Sequence, residues 1–86
     1  MSTALVRREM LTGPQIRAAR ALIGMSALEL AHLAGLAINT VRRAESSADV
    51  ARVTLANIRA IQSVLEAKGV EFLPRTDAGE GVRFSR

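Results

Sequence analysis

The chain has no cysteine, no tryptophan and no tyrosine, and its only aromatic residues besides histidine are Phe72 and Phe84. Without cysteine there is neither a disulfide nor a thiolate metal site, which fits a reducing cytoplasm. Without tryptophan or tyrosine it lacks the stacking platforms on which single-stranded DNA and RNA binders rely, so a nucleic-acid partner is expected to be a duplex. No apolar run approaches the length of a membrane span. The N-terminal stretch MSTALVRREM has no signal-peptide core, so no membrane association is expected. His32 is the single histidine and has no metal-ligand company. No nucleophile–base pair or phosphate-binding glycine loop is evident, so neither an enzyme nor a cofactor or metal site is expected.

Lysine is also scarce. Lys68 stands alone, so arginine supplies nearly all of the 12 basic residues that outweigh 8 acidic ones and leave a formal charge of +4. The guanidinium fork suits phosphate and guanine. A base-composition bias that raises arginine and alanine together gives the same balance, so charge alone shifts the reading little. At 86 residues and 49% hydrophobic content, the chain is one globular domain that is marginal by itself and gains from a second subunit.

Residues 1–11 read as a loose arm carrying Arg7 and Arg8. Thr12-Gly13-Pro14-Gln15 then has the form of a helix start, with a threonine cap, a proline in the first turn and a glutamine to complete a capping box. Ile16, Ala19, Leu22 and Ile23 follow at helical spacing to Gly24, which predicts a first helix over residues 14–23. Ser26-Ala27-Leu28-Glu29 is a second capping box with Met25 placed as a staple, and Leu30, Ala31, Leu33 and Ala34 carry the apolar face to Gly35. The second helix covers residues 27–34. A third begins almost at once at the poor cap Ala37 and turns Val41 and Ala44 inward.

After a loop around residues 46–50, the stripe Leu55, Ile58, Ile61, Val64 and Leu65 marks a fourth helix, ending at Lys68-Gly69. The period then changes to two. Val70-Glu71-Phe72-Leu73 and Val82-Arg83-Phe84 alternate around a turn-rich segment of residues 74–81 and form two short strands. Val70, Phe72, Val82 and Phe84 share one face of that pair, with Glu71 and Arg83 on the other. The expected class is mainly α: a four-helix domain over residues 12–68, with a β tail over residues 69–86. An isolated hairpin is barely stable and its edges invite pairing. The tail therefore either folds back to cap the fourth helix of its own subunit or meets the strands or fourth helix of a second subunit. The second arrangement is favoured, which makes the tail face the expected dimerisation surface. A chain truncated after Gly69 is expected to stay helical and become monomeric.

Two short helices joined by a three- or four-residue glycine turn make a helix-turn-helix, whose second helix enters the major groove. Here that unit is SALELAHLAGLAINTVRRAES. With Ser26, Glu29, Leu30, Ala31, then Gly35, Leu36 and Ala37, then Val41 and Glu45 in this order, residues 12–68 resemble the Xre-like regulators, the family of the phage repressors and Cro proteins. The resemblance implies a phage-repressor-like helix-turn-helix fold that binds double-stranded DNA as a dimeric transcriptional repressor on a palindromic operator.

The resemblance also implies roles for individual residues. Ile38, Asn39 and Arg43 would face base edges: asparagine suits adenine and arginine suits guanine. Ile38 fits either a thymine methyl or a packing position at the helix boundary. Asn39 and Arg43, four apart and opposite Val41, lie on the outer face on geometry alone. Thr40 and Arg42 flank them and suit phosphate or base contact, with phosphate the assigned role. Ser26 and Ala27, at the start of the second helix, are the other phosphate candidates. Ala27 stands where the family often has a glutamine that braces DNA. Arg7, Arg8 and Arg52 add diffuse attraction at most. Arg20 and Glu45 fall in register with a helix 1–helix 3 ion pair of the family, and Ser46-Ser47 depart from the glycine that usually follows that glutamate. A protein that modulates the regulator is a further possible partner. The competing reading is a protein-interaction module, an antitoxin or antiactivator, with the same helix-turn-helix shape.

Overall fold

The computed structural model describes residues 11–46, 53–77 and 79–85. Among these residues the chain forms four helices and one antiparallel two-stranded sheet: α1 (Gly13–Ile23), α2 (Ala27–Ala34), α3 (Ile38–Glu45), α4 (Leu55–Ala67), β1 (Val70–Thr76) and β2 (Gly79–Phe84). The expectations for Arg7, Arg8 and Arg52, and for most of the loop before α4, lie outside the described residues.

Local chemistry sets the helix boundaries. At α1, Thr12 Oγ1 accepts from Gln15 N at 3.2 Å while Thr12 N donates to Gln15 Oε1 at 3.0 Å, so both halves of the capping box form. At α2, Ser26 Oγ accepts from Glu29 N at 3.0 Å. Gly24 and Gly35 close these helices at φ 68° and 70°, a conformation that a β-carbon disfavours. Only residues 35–37 separate α2 from α3, and Ala37 caps α3 without any side-chain bond.

The core gathers Leu11, Ile16, Ala19, Met25, Leu30, Ala31, Val41, Ala44, Ile58, Ile61, Leu65 and Val70. Two of these differ from the sequence expectation. Leu11, assigned to the loose arm, is only 3% exposed. It precedes the cap Thr12 and joins Ile16 in the core, the arrangement of a hydrophobic staple. Val70, expected on a subunit contact, is 2% exposed in the chain's own core, with Phe72 and Val82 packed against it. Of the four residues assigned to dimerisation, Phe84 alone remains largely exposed.

The hairpin is longer than the alternation suggested. Val70 faces Phe84, Glu71 faces Arg83 and Phe72 faces Val82, the pairing read from the sequence, but the strands run on to Thr76 and Gly79. Between Leu73 and Thr76, β1 advances three residues while β2, from Gly81 to Gly79, moves two. That extra residue is a bulge containing Pro74, which has no N–H to give a ladder. The hairpin packs on α1 through both strands and on α4 through β1. Gln15, 6% exposed, clasps it: its Nε2 donates to Leu73 O and to Gly81 O, each at 3.1 Å, and Thr12 Oγ1 donates to Glu80 Oε2 at 2.7 Å. The α1 cap therefore also anchors the sheet.

On the outer face, Arg83 Nε donates to Glu71 Oε1 at 2.9 Å, and that hydrogen bond holds the Glu71 carboxyl below its usual range. Both side chains are well exposed, so the pair adds little to stability. No helix among the described residues is long and apolar enough to cross a membrane.

Candidate nucleic-acid interface

α3 is a two-turn helix whose sides are sharply different. Val41 and Ala44 are fully buried, against α1 and α2, which both pack on this helix. Asn39, Arg42 and Arg43 are exposed and Thr40 is half-buried. Asn39 and Arg43, one turn apart, share the outward face, so their amide and guanidinium are free to meet a partner together. Ile38 is half-buried against the core, so part of its side chain is already committed to packing.

Arg43 and Thr40 also line a cleft of about 460 Å³ between α3 and the start of α4, with Val53, Thr54 and Asn57 on its far side. Thr54 caps α4 by accepting from Asn57 N at 3.3 Å. The cleft thus joins a guanidinium, two hydroxyls and an amide beside the exposed face of α3. Sequence reasoning did not reach Thr54 and Asn57, although T-x-x-N before an apolar stripe is a readable helix start. Ser26 is exposed and Ala27 half-buried at the first turn of α2, where Ser26 is engaged with Glu29 N. Its hydroxyl remains a donor.

The back of α3 is fixed to α1. Arg20 Nε donates to Glu45 Oε2 at 2.6 Å, and Nη2 donates to Glu45 Oε1 at 3.0 Å. The remaining terminal nitrogen, Nη1, donates to Met25 O at 2.9 Å, in the link between α1 and α2. One guanidinium therefore ties three segments together. The hydrogen bond to Glu45 raises the Arg20 pKa; partial burial opposes this and the attraction between the charges adds to it. Arg17, one turn earlier, was not singled out in the sequence; its Nη1 donates to the backbone carbonyl of Glu45. Ser46 has φ −82° and ψ −9°, a right-handed conformation that does not call for glycine, and its hydroxyl donates to Arg43 O at 2.9 Å.

Among the described residues, no group of three or more His, Cys, Asp or Glu is placed to hold a metal ion. No protein-family model matches the chain, and no curated protein does.

Proposed function

We propose that the chain is a cytoplasmic, sequence-specific binder of double-stranded DNA that acts as a dimeric transcriptional repressor, with a phage-repressor-like helix-turn-helix formed by α2 and α3. The observation that carries this reading is the division of α3: Val41 and Ala44 are wholly buried while Asn39, Arg42 and Arg43 stand exposed on a helix short enough to lie in a major groove. An asparagine and an arginine one turn apart are the side chains that make paired bonds to adenine and guanine. Thr40, Arg42 and the cleft beside them suit phosphate, as does the start of α2 at Ser26 and Ala27. Double-stranded DNA is the partner, no cofactor or catalytic step is invoked, and control comes through the chain's own concentration or a modulating protein.

Selection of bound duplexes from genomic fragments, followed by band shifts across a salt series, tests the reading. Phosphate contacts should give a steep loss of affinity as salt rises. Arg43→Ala should weaken the selected site by about 1–3 kcal/mol and relax preference at one base pair; Asn39→Ala should relax a different one. Folded variants that bind like wild type would remove α3 from the groove.

Dimerisation rests on a narrower surface than the sequence suggested. With Val70 buried in its own subunit, Phe84, 54% exposed at the end of β2, is the tail residue left most open to a partner subunit. Pairing there would set two recognition helices about 34 Å apart on successive turns of one DNA face. Phe84→Ser should make the protein sediment as a monomer and weaken operator binding while its helical circular dichroism at 25 °C stays that of wild type. A Phe84→Ser dimer would move the interface elsewhere.

The protein-interaction reading is favoured by one feature, the exposure of Leu28 and Leu33 on α2, at 67% and 45%. Under that reading the chain would select no duplex, and salt would have little effect on its partner binding.

A further inference from the structure

We propose that Arg17 is a positioning residue, which holds the backbone of α3 at its C-terminus so that Asn39 and Arg43 are presented in one orientation. The inference rests on the reading of α3 as the recognition helix. Eight residues are too few for a helix that is stable by itself, so the placement of α3 depends on what grips it. Its N-terminus is gripped weakly, because Ala37 offers no side-chain acceptor to the first free N–H groups. The grip lies at the other end. Arg43 O accepts from Ser46 N and Oγ, and Glu45 O accepts from Arg17 Nη1.

The two α1 arginines act differently on the same residue. Arg20 holds the carboxylate of Glu45, which sits at the end of a side chain with rotatable bonds, so α3 keeps some freedom to roll about its axis. Arg17 holds the carbonyl, which is part of the helix itself. With carboxylate and carbonyl both pinned from one face of α1, rolling α3 breaks at least one bond. A cation at this end also opposes the partial negative charge of the helix terminus. Arg17 is exposed, so its removal strips nothing from the core. Its effect is on orientation, with little change in the melting temperature.

The test uses the full-length chain and two substitutions, Arg17→Ala and Arg17→Lys. Without DNA, the backbone amides of Val41 to Glu45 should exchange about tenfold faster in Arg17→Ala, while those of Ile61 and Leu65 in α4 stay at the wild-type rate. With a duplex recovered by selection, Arg17→Ala should lose about tenfold in the ratio of specific to non-specific affinity, the scale of one impaired base contact. The slope of log affinity against log salt should not change. Arg17→Lys, which keeps a charged donor, should restore both readouts.

Unchanged exchange in α3 overturns the proposal. So does a salt slope lowered by about one, which would make Arg17 a phosphate contact instead. If Arg17→Ala loosens α3 but the wild-type chain selects no duplex, the DNA reading fails and the positioning role stands.

Discussion

A chain ending at Gly69 should lose its cooperative thermal transition rather than survive as a helical monomer. The hairpin contributes to the same core as the helices. Val70 is 2% exposed and touches the cluster that holds Ile16, Ile61 and Leu65; fully burying a valine is worth about 1.5–3 kcal/mol. Phe72 and Val82 cover that cluster from outside, and their removal uncovers it. Gln15 would also lose both of its carbonyl acceptors, and with them the clasp that joins α1 to the sheet. A small domain has only about 5–15 kcal/mol in total, so these losses consume much of it. Circular dichroism of the truncated chain should show a broad, non-cooperative melt and weakened helicity at 25 °C. A sharp melt near the wild-type temperature would mean that the helices stand without the sheet.

That result differs from what the sequence suggested, and the reason is specific. The helices were legible because their signals are local: Thr12 with Gln15, Ser26 with its first turn, Gly24 and Gly35 at φ near 70°, and apolar stripes at helical spacing. The pairing of Glu71 with Arg83 and of Phe72 with Val82 was equally legible, since alternation within two short segments fixes which residues share a face. The extent of the strands was not. A one-residue bulge between Leu73 and Thr76 shifts the alternation, so residues 74–81 read as a loop although most of them lie in the two strands.

Distance in sequence hid the rest. Gln15 reaches carbonyls 58 and 66 residues away, and a carbonyl carries no sequence identity to point to it. The same holds for Arg17 on the carbonyl of Glu45. At α3 the outward face of Asn39 and Arg43 followed from their spacing to Val41, whereas the joining of Arg20 to Glu45 was suggested by the family resemblance and not by any local pattern. The cleft at Thr54 and Asn57 went unread because it forms only where α4 starts beside α3.

The Arg20–Glu45 pair should be the single most costly side-chain contact to break, and the two halves should not cost the same. Glu45 keeps 8% of its side-chain surface and Arg20 keeps 20%. Arg20→Ala strands a carboxylate that water barely reaches and also frees Met25 O, so it should destabilise by about 3–5 kcal/mol, or on the order of 20 °C in the melt. Glu45→Ala leaves a guanidinium with better access to solvent and its bond to Met25 intact, so its cost should be smaller. Added salt should reduce these differences only in part, because a partly buried pair is screened less than an exposed one. A double replacement by apolar residues of similar size, Arg20→Met with Glu45→Leu, should recover most of the loss, since no buried charge is then left alone. In the proposed DNA-binding role its discrimination between duplexes should nevertheless fall, because an apolar contact limits the roll of α3 less than the paired guanidinium bonds do. Melts of both single variants within a degree or two of wild type would show the pair to be solvated, and α3 would then have to be held from its Arg17 side alone.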